Sequence, residues 1–273
     1  MTFAAFETSI DQGEPILLFD FSIGVLHFRY TTADRNITWA TNVYTSAPIS
    51  RAAIKQGSEI KQQTLKVTGP RDLSVAALYA TEAPSAAVAL TITALHHDDP
   101  DAQGVADWIG RVLSAKWTGS NVELACEPVY TSVQTMGLRR RFQISCPHVL
   151  YGVQCTVAPS PYATPGTVTA LSGFAISAAP WGTPPGAGLS FVGGFVTWDS
   201  GNGYLERRTI QSVSGDALTI DNIGPGLAIG TVVTAYPGCD RSMTNCQAFG
   251  NLLNYGGQPY IPTINPMNGN PVY

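Results

Sequence analysis

Apolar and polar side chains alternate with a period of two over several short stretches of this chain, the pattern of half-buried β-strands. Leu26, Phe28 and Tyr30 alternate with His27 and Arg29. Val88, Leu90, Ile92 and Ala94 alternate with Ala and Thr, and Val122, Leu124 and Cys126 enclose Glu123 and Ala125. Thr68-Gly69-Pro70 reads as a turn between such runs. One segment, 73–81, has a moderate helical period through Leu73, Ala76, Ala77 and Tyr79. Residues 1–125 are therefore predicted to be β-rich.

Residues 160–236 are different: Gly and Pro are dense from Pro161 to Gly194, and charge is nearly absent until Asp199. Short β-prone runs at 191–198, 209–213 and 217–221 lie inside it, with Ser214-Gly215-Asp216 as a hairpin turn between the last two. This predicts a small β insertion domain. The tail, 248–273, holds many Asn, Gly and Pro residues with Tyr255, Tyr260 and Tyr273. It buries little by itself and is predicted to lie irregularly across a neighbouring domain or a partner. The expected fold class is mainly β. Its parts are a β-rich N-terminal domain at 1–125, the insertion at 160–236, and an irregular Cys-rich region from 126–159 and 237–273.

Composition adds a reason to expect partners. The chain has 273 residues but only 12% charged residues, against roughly 25% in an average globular protein. That shortfall suggests that much of the surface faces other proteins. The net charge is −4 and the one basic run is Arg139, Arg140 and Arg141, so no nucleic-acid binding is expected. The run reads instead as a strand or turn with solvated or interface-paired guanidinium groups. The opening residues carry Glu7, Asp11 and Glu14 without a positive region, so no secretory signal is expected. No apolar stretch approaches the roughly 20 residues of a membrane helix. A chain that folds in the cytoplasm keeps its thiols reduced, and its five cysteines then point to metal binding or to buried thiols.

Two cysteine pairs stand out. Cys146 and Cys155 enclose eight residues, Cys239 and Cys246 enclose six, and turn formers bound each pair. Four thiolates suit an iron–sulfur cluster or a tetrahedral zinc. Paired zinc ligands are usually separated by about two to four residues, and a cubane is wider than one ion and accepts looser spacing. Spacing alone leaves iron–sulfur, zinc and four buried thiols all open. Cys126 shares a strand face with Val122 and Leu124 and reads as a packing residue. His148 reads as a turn-capping or supporting residue rather than a ligand. The compact cluster His96, His97, Asp98 and Asp99 has the residue types of a catalytic metal site but reads as a solvated turn before Pro100-Asp101. His27 alternates with apolar neighbours and reads as a surface or interface residue. Gly-x-Ser-x-Gly, His-Glu-x-x-His and phosphate-cradling motifs are missing from the sequence, so no enzymatic activity is expected.

The residues around the cysteines carry a resemblance. Leu138-Arg139-Arg140-Arg141-Phe142-Gln143 leads into Cys146-Pro147-His148-Val149-Leu150-Tyr151-Gly152 and Cys155. Tyr236-Pro237-Gly238-Cys239-Asp240-Arg241, Cys246, Phe249-Gly250-Asn251, Asn254-Tyr255-Gly256-Gly257 and Pro259-Tyr260-Ile261-Pro262 follow. Phe28 to Arg35, Trp39, Tyr44, Ala47-Pro48-Ile49-Ser50-Arg51, His96 to Asp99 and Gly110-Arg111-Val112 extend it over the N-terminal half. Together these resemble the baseplate hub, or tail tip, family of siphophages and gene transfer agents and, more remotely, lambda tail tip protein L. The resemblance implies a [4Fe–4S] cluster on Cys146, Cys155, Cys239 and Cys246, with Cys126 outside it. It also implies a homotrimeric ring at the virion tail tip, assembled in the host cytoplasm. Such a ring would sit between the distal tail protein and the central fibre or receptor-binding protein, with the tape measure protein a further candidate contact.

Overall fold

The computed structural model describes residues 3–9, 13–54, 64–80, 82–96, 99–134, 142–201 and 203–262. They fall into two units, Met1–Thr135 with Ser200–Glu206, and Met136–Asp199 with Arg207–Tyr273. The chain is mainly β, with a sheet in each unit and a few short helices.

The first sheet contains β1 (Pro15–Ile23), β2 (Leu26–Thr31), β3 (Ile37–Trp39), β4 (Asn42–Ser46), β5 (Ser50–Arg51), β6 (Leu65–Pro70), β7 (Val88–His96), β8 (Val105–Thr118) and β9 (Asn121–Pro128). Their order is β3-β4-β2-β1-β7-β8-β9-β6-β5. β2 and β4 run parallel, joining Tyr30 to Thr45 and Thr31 to Ser46. The alternating positions of β7 and β9 supply the core: Val88, Leu90 and Ile92, with Val122, Leu124 and Cys126, are fully buried. Register places Phe21 opposite Leu90, and both Leu65 and Val112 opposite Cys126. A core strand position is thus where Cys126 sits.

Two local expectations are corrected. Thr68-Gly69-Pro70 is not a turn but the end of β6, paired with Glu123, Val122 and Asn121. A Cβ at Gly69 would stand 2.4 Å from Leu73 Cδ1, so this glycine serves close packing, and the chain turns at Arg71 and Asp72. The helix expected over 73–81 is a single turn, Ser74–Ala77. Leu73, Val75, Ala76, Leu78 and Tyr79 are buried while Ser74, Ala77 and Ala80 are exposed, so the segment plugs the core and keeps a narrow solvent face. Tyr79 Oη donates to the Val112 carbonyl at 3.1 Å.

The second sheet contains β10 (Thr164–Thr167), β11 (Ala170–Ser172), β12 (Ala175–Ser177), β13 (Ser190–Asp199), β14 (Leu205–Ser214), β15 (Ala217–Ile220) and β16 (Val232–Gly238), ordered β10-β16-β13-β14-β15-β12-β11. Trp181, Trp198, Phe191, Ile176, Ile210 and Leu218 fill its core. Both indole N–H groups find acceptors, the carbonyls of Thr164 and Pro225, as buried Trp requires. The expected hairpin turn joins β14 to β15 with Ser214 opposite Ala217. Gly215 stands first in its two-residue loop at φ +58°, the position where a II′ turn demands glycine. β13 bulges against β16 between Ser190 and Phe195. Beyond β16 lie a short helix, Met243–Ala248, and irregular chain through 262. Among the described residues no helix is long and apolar enough to cross a membrane.

Candidate functional site

Cys146, Cys155, Cys239 and Cys246 all belong to the second unit, whereas Cys126 is buried in the first. All five are free thiols. Hydrogen bonds join the loops that carry them. Cys146 N donates to the Arg241 carbonyl at 2.9 Å, and Gln258 N donates to the Gln143 carbonyl at 2.9 Å. Tyr255 Oη donates to the carbonyls of Ile144 and Arg241 at 2.8 and 3.4 Å. Cys246 lies in the short helix, whose N-cap Ser242 accepts from Asn245 N.

The thiols act on one another. Burial pushes the Cys246 thiol up, and the thiols of Cys146, Cys155 and Cys239 push it further. Cys239 is raised by burial first, then by Asp240, Cys155 and Cys146, while the Arg241 backbone N–H works in the opposite direction. Four sulfurs therefore share one neighbourhood. Burial alone pushes Cys126 up, to about 12. Among the described residues no group of three or more His, Cys, Asp or Glu side chains is arranged so that it could hold a metal ion.

Donors point at three of the four sulfurs. Arg241 N reaches Cys239 Sγ at 3.3 Å, Gly256 N reaches Cys146 Sγ at 3.4 Å, and Asn251 Nδ2 reaches Cys155 Sγ at 3.5 Å. At Cys239 the Arg241 N–H favours the anionic form of the sulfur. The Cys246 thiol donates to the Asn251 carbonyl at 3.2 Å. Asn251 Nδ2 also bonds the Cys155 carbonyl, and Asn254 Nδ2 holds Asn251 Oδ1 at 2.7 Å. Tyr151, Thr156 and Arg241 adopt left-handed backbone at φ 61°, 62° and 66°. Non-glycine residues persist there only where the surroundings hold them, at about 1–3 kcal/mol each.

Tyr151 packs edge-on against Phe195, Tyr236 and Phe249, and its hydroxyl donates to the Pro237 carbonyl at 3.0 Å. His148 Nδ1 bonds the Asn254 carbonyl at 3.1 Å, a tie between loops. The roles of Asn251 and Tyr255 were not read from the sequence. Their clue was position alone, since both stand shortly after Cys246 in an Asn- and Gly-rich segment whose backbone needs partners.

The other candidates divide. His97, Asp98 and the Arg139–Arg141 run lie outside the described residues. His96 and Asp99 are buried, which corrects the solvated turn. His96 Nε2 meets Glu7 Oε1 at 3.2 Å, and its ring packs on Phe3 and Phe6 of the N-terminal helix Phe3–Glu7. Asp99 accepts from the backbone N–H groups of Asp101 and Gln103. Both side chains therefore hold local structure. His27 is exposed and pairs with Asp20 at 2.9 Å.

The family model described as "Baseplate hub protein, N-terminal attachment domain" matches residues 20–158. The chain belongs to the baseplate hub family. A second family model, "Phage conserved hypothetical protein BR0599", matches residues 189–265, so each match contains one cysteine pair. An uncharacterized protein of Xylella fastidiosa (strain 9a5c) is 26% identical over 255 residues. The match takes in 85% of this chain and 52% of the relative, so the hub chain spans about half the length of that protein. Among solved structures, a chain in the virion of a native gene transfer agent particle matches with a TM-score of 0.77 at 18% identity, covering 99% of this chain and 95% of that one. That likeness is one of fold. Membership in the hub family makes the chain a structural component of the virion tail.

Proposed function

We propose that this hub chain is the tail-tip subunit that joins the distal tail ring to the central fibre, and that it carries a structural [4Fe–4S] cluster. Cys146, Cys155, Cys239 and Cys246 would hold the cluster, and a homotrimeric ring is the assembly in which it would work. One observation supports the cluster reading: the four sulfurs come from two distant loops into one neighbourhood, where Cys146 and Cys155 both act on Cys239, and all three act on Cys246. Four thiolates crowded together repel, and a cationic metal core between them removes that repulsion. The donor set fits such a group, with soft sulfur ligands and N–H groups already aimed at Cys146, Cys155 and Cys239. When bound, the cluster supplies a covalent clip. The clip closes an excursion of roughly 80 residues, whose closure entropy grows only slowly with length. Structural thiolate sites contribute on the order of 10 kcal/mol to folding, by analogy with zinc.

Anaerobic purification with iron, sulfide and zinc analysis tests the cluster. A brown preparation with about four iron atoms per chain is the expected result. A colourless, zinc-loaded chain would replace it with a zinc-stapled hub, and a metal-free chain that assembles normally would remove both. If the cluster is present, oxidising it and measuring the hydrodynamic radius tests whether it serves as a redox switch during genome ejection. An unchanged radius removes that role. The tail position is tested separately, by crosslinking assembled particles and identifying the distal tail, fibre and tape measure proteins among the products.

A further inference from the structure

The second unit holds a pocket of about 170 Å³ whose walls include Arg207, Arg241, Phe195, Tyr151, Val149 and Cys239. Small-molecule sites usually run to roughly 300–1,000 Å³, so this space suits one chemical group and not a whole cofactor. Two arginines line it, and none of the lining residues is Asp or Glu. The acidic neighbours in sequence are used elsewhere. Asp240 Oδ1 accepts from Ser242 N at 2.8 Å. Glu206 is fully buried and accepts from Ser85 N within the first unit. The pocket wall thus carries two guanidinium groups, with the Asp240 carboxylate close enough to act on Cys239.

Both guanidinium groups rise from fixed points. The Arg207 Cζ sits 3.5 Å over the Phe195 ring centroid, a cation–π contact that holds the arm while leaving its charge intact. The Arg241 main chain is fixed on both sides: its N–H donates to Cys239 Sγ, and its carbonyl accepts from Cys146 N and Tyr255 Oη. Among the described residues its guanidinium makes no ion pair and no hydrogen bond. The bulged strand β13 forms the remaining wall, with Gly193 at φ +74° and open space where a Cβ would stand. Bulges commonly re-aim the chain beside a functional site. A fork of donors of this kind matches carboxylate and phosphate oxygens. Val149 decides between the sources. It lines the same pocket and is 72% exposed. A free ion would leave it in water, while a protein segment covers it.

We propose that Arg207 and Arg241 receive the carboxylate of a single Asp or Glu side chain, flanked by apolar residues, from a partner protein. The proposal stands on the pocket and not on the metal content of the thiols.

Ligand-detected saturation-transfer NMR on the full chain tests it, with N-acetyl-glutamate amide, N-acetyl-glutamine amide and inorganic phosphate as probes at constant ionic strength. The glutamate probe should bind at least about tenfold more tightly than the glutamine probe, and Arg241→Gln should abolish about tenfold of its affinity. Arg241→Lys should restore part of the loss, because it returns the charge without the planar fork. Arg207→Gln, at an exposed strand position, repeats the test should Arg241→Gln disturb the fold. Equal binding of the two amino-acid probes, or unchanged affinity in folded Arg variants, overturns the proposal. Phosphate binding about tenfold tighter than the glutamate probe assigns the pocket to a free oxyanion and overturns the partner carboxylate.

Discussion

Asn251 ties together segments that carry Cys155 and Cys246, donating to the sulfur and carbonyl of the first and accepting from the thiol of the second. Residues that orient metal ligands typically matter about 10–100-fold in metal affinity. If the proposed cluster is bound, Asn251→Ala should weaken its retention by about that factor in a chelator competition, with the far-UV spectrum unchanged. The fifth cysteine should behave in the opposite way. Cys126→Ser should leave the metal content of the proposed cluster site, whatever it proves to be, unchanged and lower stability by about 1–3 kcal/mol in urea unfolding, because a hydroxyl enters an apolar core. Burial disfavours the Cys126 thiolate and lifts its pKa from 9.0 to about 12. The unfolded chain loses that proton near pH 9 while the folded chain keeps it. The stabilisation from this group is thus complete below about pH 9 and declines as pH rises toward 12. Native metal-free protein at pH 8 should accordingly alkylate at Cys155 and Cys239, which are partly exposed, and not at Cys126. Labelling of Cys126 at a comparable rate would contradict its burial. The packing role of Cys126 was legible in the sequence because it follows from strand alternation with Val122 and Leu124. The role of Asn251 was not, because it depends on a carbonyl and a sulfur nearly a hundred positions away, at Cys155.

At the scale of elements, glycines separate turn chemistry from close approach. A Cβ on Gly238 would stand 2.2 Å from the Val192 carbonyl oxygen and 2.4 Å from Gly194 N. The obstructing atoms are backbone, so no side chain can rotate away. Gly238→Ala should lower stability by more than about 2 kcal/mol and disturb the β13–β16 pairing. Gly173 sits in the β11–β12 turn at φ +57° with open space around it. Gly173→Asn should cost less than about 1 kcal/mol, because Asn tolerates left-handed backbone. Comparable urea midpoints for the two variants would refute this distinction. Strands β2, β7 and β9 were readable from alternation, β15 from its β-prone run, and the Gly215 turn from its residues. The misread turn at Thr68-Gly69-Pro70 shows the weakness of local signals: glycine there answers Leu73, and proline ends a strand.

At the scale of the whole molecule, the first unit is completed by chain from far downstream. Tyr204 is buried in its core and packs on Gly24. Tyr204→Ala should destabilise that unit by about 3 kcal/mol, read as an earlier unfolding transition in calorimetry. Sequence by itself determined the β character, the core faces of several strands and the grouping of cysteines into two pairs. Those features arise from neighbours within a few residues, where side-chain alternation and turn chemistry act. Tertiary structure alone decided the strand orders, the parallel pairing of β2 with β4, the burial of His96 and Asp99, the gathering of four thiols and the arginine-lined pocket beside one of them. Each of these depends on segments far apart in the chain. Which distant segments meet is set by the summed burial of whole faces against the entropy of closing long loops, and no local pattern encodes that sum.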